Sequence, residues 1–442
     1  MASCSEFSLE AKTTGLCYQL NRKFQDDAKV SRDEMERNKK TVCDIVDKVI
    51  EHMQKDATFQ ASYVRNIGVG SSHEKLKVRE ADEFDYNICL KIPDGWKGQI
   101  EGPSSLGPQG YAMYKLDVGF SSSTSLVHRK WQSFMDHSHY LLPFKLYDWF
   151  YGLVAKALAS SELKYCDEMQ GVTLRRAEPS ANLIINKPGR QEMSVDLAPT
   201  LQMVGNPPGF RFPDTWPNKE MTEKIEDVMR CNSLWQICTK EYTGAVLAGN
   251  ERWWRISTSP LEKYVLNTID RYNGVDSRGG SRKTVLRLLK LLREMDGSNW
   301  LAIKSYHLKH LVMLESCRYN DWPVEKIDVR FIGCLRALEN SLRKRNLQNV
   351  FFPEMNLFHD LKFDAANNLA YRVKKIADKI EKDPELINKY LTCSVAAENL
   401  ESQLTALKKC QHVRTCPDDV PGWFLDYIPC HINHFFALLD NV

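Results

Sequence analysis

The feature that most constrains this sequence is a short apolar strand pattern that carries two carboxylates. In EFDYNICL, Glu83 and Asp85 lie two residues apart and aromatic residues occupy the alternate positions. Side chains two apart on a strand share one face, so both carboxylates should face the same way. A second strand pattern, MSVDLA, places Asp196 between two aliphatic residues. Three converging carboxylates repel one another unless dications lie among them, and the pattern therefore predicts a two-metal phosphoryl-transfer site.

The loop ahead of the first strand pattern contains Gly70 and Ser71. Glycine lets backbone N–H groups approach a phosphate closely, and the serine hydroxyl adds a donor. The alternative is an ordinary loop followed by an exposed strand, because an E-x-D pair alone is a weak motif. The Gly-Ser pair, its spacing of twelve residues from Glu83 and the third carboxylate favour the phosphoryl-transfer interpretation.

Length and composition exclude several other classes of protein. A chain of 442 residues suggests two to three domains or one large two-lobed unit, and 43% apolar with 26% charged residues is ordinary for a globular protein. The net charge of +3 does not by itself predict a polyanionic partner. No apolar run is long enough for a membrane span, no signal peptide is evident, and thirteen scattered cysteines do not resemble a disulfide framework. We therefore expect a soluble, cytoplasmic protein.

Apolar periodicity predicts an α+β fold with a mixed β-sheet core followed by a helical lobe. One long amphipathic helix is expected from Ser31 to Gln54, with Ser31 and Glu34 forming a capping box. Strand patterns and a helix near residues 141–159 follow, and from about residue 218 the pattern is mostly helical. The predicted domains are an N-terminal arm (1–20), which we expect to be loosely held, a core (21–217), a helical C-terminal lobe (218–382) and a C-terminal extension (383–442).

Five further segments, together with the Gly-Ser loop, resemble one known family. GVGSSHEKLKVREADEFDYNICL is similar to the GS…[DE]-h-[DE] signature of nucleotidyltransferases, specifically of the cyclic GMP-AMP synthase-like receptors. KVSRDEMERNKKTVCDIVDKVIEHM resembles the family's long spine helix, and EMSVDLAPTL the segment with its third metal ligand. WWRISTSPLEKYVLN, KSYHLKHLVML and VFFPEMNLF resemble its nucleotide-contact segment, its base-stacking helix and its F-I-P-x-x-N-L-F stretch. The resemblance spans about Ser31 to Lys382 and implies a two-lobed nucleotidyltransferase fold.

The resemblance also implies roles for individual residues. Glu83, Asp85 and Asp196 would be the catalytic carboxylates and hold two Mg²⁺ ions, with Mn²⁺ as a substitute, while Gly70 and Ser71 would contact the donor triphosphate. The other implied nucleotide contacts are Arg255, Ser257, Ser259, Glu262, Lys290, Ser305 and Tyr306. Three of these have open alternatives: an exposed helix carboxylate for Glu262, a solvated lysine for Lys290 and core packing for Tyr306.

The sequence departs from the DNA-sensing cyclic GMP-AMP synthase at its zinc ribbon. That enzyme uses one His and three Cys there, whereas residues 265–290 of this chain contain neither, so we expect no structural zinc. The chain resembles instead invertebrate members of the family, several of which sense double-stranded RNA. The predicted nucleic-acid contacts are Arg37, Lys39, Lys40, Arg282, Lys283 and Arg287, within two basic stretches. A solvated helix face is the alternative for these residues.

These observations lead to one expected function and two alternatives. We expect a nucleic-acid-activated enzyme that joins ATP and GTP into a cyclic dinucleotide, with release of pyrophosphate, in innate antiviral sensing of double-stranded RNA. A catalytically silent interaction protein of the same fold is the first alternative, and a constitutive polymerase such as an oligoadenylate or poly(A) synthase is the second. A dimer formed on ligand binding stays open, as does the role of residues 383–442, whose Cys and His spacings do not follow a zinc module.

Overall fold

Alternating apolar residues in the first half of the chain build a mixed β-sheet. The computed structural model describes residues 15–103, 108–118, 125–189, 191–213, 222–223, 225–228, 234–240, 242, 249–269 and 280–392. The strands are Tyr63–Val69 (β1), Glu83–Leu90 (β2), Lys97–Glu101 (β3), Tyr111–Asp117 (β4), Val172–Ala177 (β5), Ser180–Ile185 (β6), Met193–Met203 (β7), Trp235–Cys238 (β8) and Trp253–Ser257 (β9). Within the described residues these nine strands form one sheet in the order β1-β2-β7-β8-β9-β4-β3, with β6 joining β5 to β7.

Strand β7 is the centre of this sheet. It runs parallel to β2 along its length, with Asp196 directly opposite Asp85 in the register, and antiparallel to β6 and then β8 on its other side. The remaining strand pairs are antiparallel. Parallel pairing of β2 with β7 therefore brings two acidic residues, far apart in sequence, into one row across the sheet.

Some helices pack against the sheet, and others, later in the chain, pack on one another. The helices are Gly15–Lys23 (α1), Arg32–Met53 (α2), Ala57–Ser62 (α3), Gly70–His73 (α4), Leu126–Ser133 (α5), Pro143–Ala159 (α6), Ser161–Lys164 (α7), Ser259–Ile269 (α8), Arg282–Met295 (α9), Ser305–Arg318 (α10), Ile327–Arg343 (α11), Phe363–Lys382 (α12) and Leu386–Leu391 (α13). Helix α2 packs on α6, and α6 packs on β5, β6 and β7. Helices α9 to α13 pack on one another and build the helical lobe.

The long helix predicted from Ser31 to Gln54 is confirmed as α2, but its predicted cap is wrong. Val42, Ile45 and Val49 line its fully buried face, as the amphipathic pattern requires. The Ser31 side chain makes no capping hydrogen bond. The Glu34 carboxylate instead accepts a hydrogen bond from the backbone N–H of Ala81 at 3.5 Å, so it ties the helix to the segment before β2.

Two other regions differ from the sequence expectation. Residues 15–20, expected in a loosely held arm, belong to α1, where Leu16, Cys17 and Leu20 are buried because the helix packs against α11 and α13. Strands β8 and β9 lie beyond residue 218, and they join the sheet because short apolar runs there complete its central hydrogen bonding. Residues 1–14 and the second unit, Cys393–Val442, lie outside the described residues. Across the described part of the chain, no helix is both long and apolar enough to cross a membrane.

Candidate active site

The three predicted carboxylates lie together on adjoining strands. Asp85 and Asp196 face each other across the parallel β2–β7 pair, and Glu83 lies two residues before Asp85 on the same face. Enclosure by the protein, followed by the nearby carboxylates of Asp196 and Glu83, raises the pKa of Asp85 to about 7. This cluster concentrates negative charge that a bound cation would neutralise.

Asp196 is oriented by its neighbours on β6. Its Oδ1 accepts hydrogen bonds from Ser180 Oγ at 2.9 Å and from Asn182 Nδ2 at 2.7 Å. Asn182 Nδ2 also donates to Ser194 Oγ at 2.8 Å. Fixed outer contacts of this kind hold a ligating carboxylate in one rotamer.

Glu83 closes the outer end of the cluster through an ion pair. Lys77 Nζ lies 2.9 Å from the Glu83 carboxylate and 2.6 Å from that of Asp82. In the described ranges no three His, Cys, Asp or Glu side chains already converge on one metal position. Three carboxylates from adjacent strands are nevertheless the oxygen donors that Mg²⁺ prefers, so the residues fit a magnesium site, and Glu83 would have to leave Lys77 to take part in it.

Gly70 begins the short helix α4 directly against Asp85. Its φ is +73°, and a Cβ at this position would lie 1.9 Å from Asp85 Oδ2. Glycine is therefore required twice, for the positive φ and for the close approach to the carboxylate. The predicted Gly-Ser loop thus lies beside the carboxylates, as a phosphate-binding segment must.

A cleft of about 460 Å³ lies over the carboxylate row. Its lining includes nine of the residues that the sequence predicted, namely Gly70, Ser71, Glu83, Asp85, Asp196, Ser259, Lys290, Ser305 and Tyr306. Ser257 Oγ lies 3.3 Å from Ser259 Oγ, and the Arg255 guanidinium lies 5.6 Å from the centre of the Tyr111 ring. Most of the nucleotide contacts implied by the family resemblance therefore line one cleft, whereas Arg255, Ser257 and Glu262 lie outside its lining.

A buried ion-pair network forms one wall of the cleft. Lys309 Nζ on α10 lies 2.8 Å from Glu74, which follows α4, and 2.9 Å from Glu262 on α8. Glu262 is only 1% exposed, so the exposed-carboxylate alternative is wrong. Burial alone would raise the pKa of Glu262, but Lys309 and His310 hold it far below its usual range. Burial alone would likewise lower the pKa of Lys309, and its two carboxylate partners raise it instead.

Tyr306 is held by its hydroxyl at the edge of this network. Asn349 Nδ2 donates to the Tyr306 hydroxyl at 3.1 Å, and that hydroxyl lies 3.4 Å from Glu262 Oε1. Asn349 immediately precedes the VFFPEMNLF segment, and its Oδ1 accepts from the backbone N–H groups of Phe351 and Phe352 in that segment. Because the half-buried ring lines the cleft, Tyr306 is not a simple core residue.

The basic face of α9 packs against the backbone that follows α4. Lys290 is only 4% exposed and donates to the Leu76 carbonyl at 2.6 Å, so the solvated-lysine alternative is wrong. Burial lowers the pKa of Lys290 to about 8. Lys283 donates to the Glu74 carbonyl at 3.3 Å, and Arg287 donates to the Lys75 carbonyl at 2.8 Å. These three side chains therefore connect α9 to the cleft, and the fully solvated alternative does not describe them.

The structure does not bring Arg282 to the predicted nucleic-acid surface. Arg282 is 1% exposed, and its guanidinium donates to Ser316 Oγ and to the Ile269 carbonyl, both at 3.2 Å. The predicted contact of Arg282 with nucleic acid is therefore wrong, because a buried, hydrogen-bonded guanidinium has no access to phosphate. The other predicted basic residues, Arg37, Lys39 and Lys40, are exposed on α2.

Several site residues were not predicted from the sequence. Lys77, Lys309 and Asn349 contact predicted site residues, and Glu74 pairs with Lys309 and accepts at its carbonyl from Lys283. A signal existed for Lys309, since its spacing of three residues from Tyr306 places both on one helix face. No local pattern could have paired Lys309 with Glu74, because the pair spans 235 residues and depends on how the helical lobe packs against the sheet.

Comparison with protein families adds independent findings. Residues 72–268 match the Mab-21 protein nucleotidyltransferase domain, and residues 281–375 match the Mab-21 protein HhH/H2TH-like domain. The two matches together cover the carboxylate row, helices α9 to α11 and most of the cleft lining, while Val69, Gly70 and Ser71 precede the first match.

Among curated proteins, the chain is similar to a cyclic GMP-AMP synthase-like receptor from Microplitis demolitor, with 27% identity over 348 residues, which are 76% of this chain and 60% of that protein. It is also 27% identical over 356 residues to cyclic GMP-AMP synthase-like receptor 3 from Stylophora pistillata, covering 79% of this chain and 91% of that protein. Cyclic GMP-AMP synthase from Sus scrofa is 22% identical over 333 residues, covering 71% and 62%. The chain thus spans less than two thirds of the first and third of these relatives.

Proposed function

The chain belongs to the Mab-21 nucleotidyltransferase family, and on that premise we propose that it joins ATP and GTP into a cyclic dinucleotide with release of pyrophosphate. The observation that carries this proposal is the register of Asp85 against Asp196 under a nucleotide-sized cleft, beside a glycine whose positive φ and close approach to Asp85 disfavour any side chain. Relatives named as cyclic GMP-AMP synthase-like receptors support the choice of product class.

Glu83, Asp85 and Asp196 are the residues proposed to hold two Mg²⁺ ions, for which Mn²⁺ can substitute. When bound, the ions would neutralise charge on the triphosphate and favour ionisation of the attacking ribose hydroxyl. The protein's own part is to hold the carboxylates in place, which Ser180 and Asn182 do for Asp196.

The remaining residues are proposed to bind and orient the two nucleotides. Gly70 and Ser71 bind the donor triphosphate, and Lys290 reaches it from α9 as a point charge. Tyr306 stacks on a base, with Ser305 beside it. Arg255, Ser257 and Ser259 contact the acceptor nucleotide, whose ribose hydroxyl attacks the α-phosphorus while pyrophosphate leaves. Glu262 acts indirectly, because its carboxylate is already paired with Lys309.

We propose that double-stranded RNA is the activating ligand and that the product is a second messenger in cytoplasmic antiviral sensing. Arg37, Lys39 and Lys40 on α2 offer exposed charge, and a duplex is met through its phosphates and shape. Lys283 and Arg287 now donate to the backbone beside α4, so a duplex that engages them would also act on the phosphate-binding segment. The functional units are proposed as a core, expected at 21–217 and extended by β8 and β9, and a helical lobe in the remaining part of 218–382.

The product itself tests this function. Purified full-length protein is incubated with Mg²⁺, all four nucleoside triphosphates and either duplex RNA or duplex DNA, and the products are identified by mass spectrometry after phosphatase treatment. A phosphatase-resistant dinucleotide formed only with RNA is the expected result. Linear oligonucleotides formed without a duplex would favour the polymerase alternative, and activation by DNA alone would overturn the choice of RNA.

A catalytically silent interaction protein is the competing function. Loss of the carboxylates or of the Gly-Ser pair would favour it, yet all five positions are present and lie around one cleft. The intact site therefore supports the enzyme.

A further inference from the structure

A buried amide lies one row beyond the catalytic carboxylates. Asn87 is two residues past Asp85 on β2, faces the same side of the sheet and lines the cleft, while Ala198 lies opposite it on β7. Gly70 follows Val69, which pairs with Asp85 in the antiparallel β1–β2 register. The phosphate-binding segment therefore lies toward the Glu83 end of β2, and Asn87 lies in the opposite direction.

The carboxamide of Asn87 is fixed in one orientation. Asn87 is 7% exposed, and its Nδ2 donates to Gln236 Oε1 at 2.5 Å. Gln236 is fully buried, and its own Nε2 donates to Cys89 Sγ at 3.1 Å. This chain of contacts places the Asn87 nitrogen toward β8 and leaves Asn87 Oδ1 toward the cleft, with no donor among the described residues. An acceptor that lines a cleft and makes no hydrogen bond to the described residues is a ready site for a ligand N–H or O–H.

The location of Asn87 indicates that it contacts the acceptor nucleotide rather than the donor. Gly70, which is proposed to contact the donor triphosphate, lies on the other side of the carboxylate row, so the acceptor nucleoside would occupy the Asn87 side. Gln236, which holds Asn87, pairs on β8 with Ser257 of the proposed acceptor segment. The β1–β2 register and the β8–β9 pairing therefore both favour placing Asn87 beside the acceptor nucleotide.

We propose that Asn87 is a specificity-determining residue, whose carboxamide oxygen accepts a hydrogen bond from an N–H group on the base of the acceptor nucleotide. The inference rests on the proposed nucleotidyltransferase function. Successive rows on a strand face are separated by roughly 6.6 Å. The attacking ribose hydroxyl would lie beside the carboxylates that are proposed to hold Mg²⁺, and its neighbouring hydroxyl stays close to it. The ribose hydroxyls therefore remain in the carboxylate row, and a group one row farther meets the base.

The test measures binding rather than turnover. Affinities of ATP, GTP, CTP, UTP and their 2′-deoxy forms are determined by calorimetry on the full chain, with Ca²⁺ in place of Mg²⁺ to suppress reaction. Asn87→Leu removes the acceptor oxygen and should weaken one base five- to thirtyfold, in both its ribo and deoxy forms, while the other bases change less than twofold. Asn87→Ala removes the same oxygen without added bulk and carries the same prediction if the leucine variant does not fold.

Two further variants sharpen the result. Gln236→Leu releases the Asn87 carboxamide. It should weaken binding of the same base by a smaller factor than Asn87→Leu does. Asn66→Leu, on β1 and outside the cleft lining, is the matched control and should bind all nucleotides as wild type does. Equal loss for all four bases, loss confined to the ribo forms, or no change would each overturn the proposal. Failure of wild type to turn over nucleotides would instead count against the proposed function, since the binding preference is measured separately.

Discussion

Asp85 is the residue at which the electrostatics of the cleft are most unfavourable. Its pKa is raised to about 7 by enclosure and then by Asp196 and Glu83, so ionisation of the carboxyl costs stability as the pH rises from about 4 to 7. We expect Asp85→Asn to lower nucleotidyl transfer at least a thousandfold, because charge stabilisation by a held cation contributes several kcal/mol. Its melting temperature in the metal-free state should equal or exceed that of wild type, measured by calorimetry.

Asp94→Asn is the control for this prediction, since Asp94 is an exposed carboxylate paired only with Lys91 in the described structure. It should change neither activity nor melting temperature. A clear drop in the melting temperature of Asp85→Asn would mean that this carboxylate stabilises the fold, which the present electrostatic account excludes.

Lys290 makes triphosphate binding dependent on pH. Burial lowers the pKa of its ammonium to about 8, so the side chain is charged at pH 7 and loses its proton above pH 8. A phosphate pairs with the charged form, and affinity should therefore fall roughly tenfold between pH 7 and pH 9. Nucleotide titrations across this range should show the decline for wild type and for Lys375→Met, at an exposed position on α12, and should show a flat profile for Lys290→Met. An unchanged profile in Lys290→Met would remove Lys290 from the phosphate site.

At the scale of secondary-structure elements, the sequence predicted those whose periodicity is local. The α2 helix, the β2 strand with its two carboxylates and the α6 helix follow from the spacing of apolar residues. Strands β8 and β9 were not separated from the helical region, because four- and five-residue strands become identifiable only through their neighbours in the sheet. The cap of α2 was wrong for a similar reason, since Glu34 found a partner in Ala81 that lies 47 residues away.

The same distinction between local pattern and tertiary packing holds for the residues of the site. Glu83, Asp85 and Asp196 were predicted because acidic residues inside apolar strands are conspicuous. The buried partners of Glu262 and Lys290 were not, since an ion pair or a carbonyl contact depends on how α8, α9 and α10 pack rather than on any local pattern.

Helix α4 depends on glycine at its first position. Gly70→Ala combines a positive φ with a Cβ placed 1.9 Å from Asp85 Oδ2, so we expect loss of activity together with a destabilisation of more than about 1 kcal/mol. Gly95→Ala is a matched control, because Gly95 has a similar φ of +85° with nothing within 4 Å of its Cβ. Activity should survive in that variant, and denaturant unfolding should show the smaller loss. Equal effects of the two substitutions would show that contact with Asp85 is unimportant.

Lys309 on α10 pairs with Glu74, which follows α4, and with Glu262 on α8. Loss of these ion pairs should lower the free energy of unfolding strongly. Lys309→Met leaves Glu74 and Glu262 buried without their cation, and we expect a loss of about 3 to 5 kcal/mol in the free energy of unfolding. Glu74→Gln in the same chain should restore part of it, because one of the two buried charges is removed. Lys374→Met, which breaks a half-exposed pair with Asp378 on α12, should have no measurable effect in the same denaturant experiment. A small effect of Lys309→Met would mean that water reaches this wall of the cleft.

Across the whole molecule, the cleft requires both parts of the family architecture. Glu74 and Glu262 belong to the residues matched by the nucleotidyltransferase domain, while Lys309 and Tyr306 belong to those matched by the helical domain. Contacts from α9 to the backbone after α4 cross the same boundary. The basic face of α9 therefore contacts the backbone that directly follows the segment proposed to bind the triphosphate.

Pyrophosphate release tests the central claim most directly. Purified full-length protein is supplied with Mg²⁺, ATP and GTP, with and without duplex RNA, and the released pyrophosphate is measured beside the Asp85→Asn variant. We predict RNA-dependent release by wild type and at least a thousandfold less by the variant. Release at the same rate by both proteins, or by neither under any duplex, would contradict the assignment of this carboxylate cleft as a nucleotidyltransferase site.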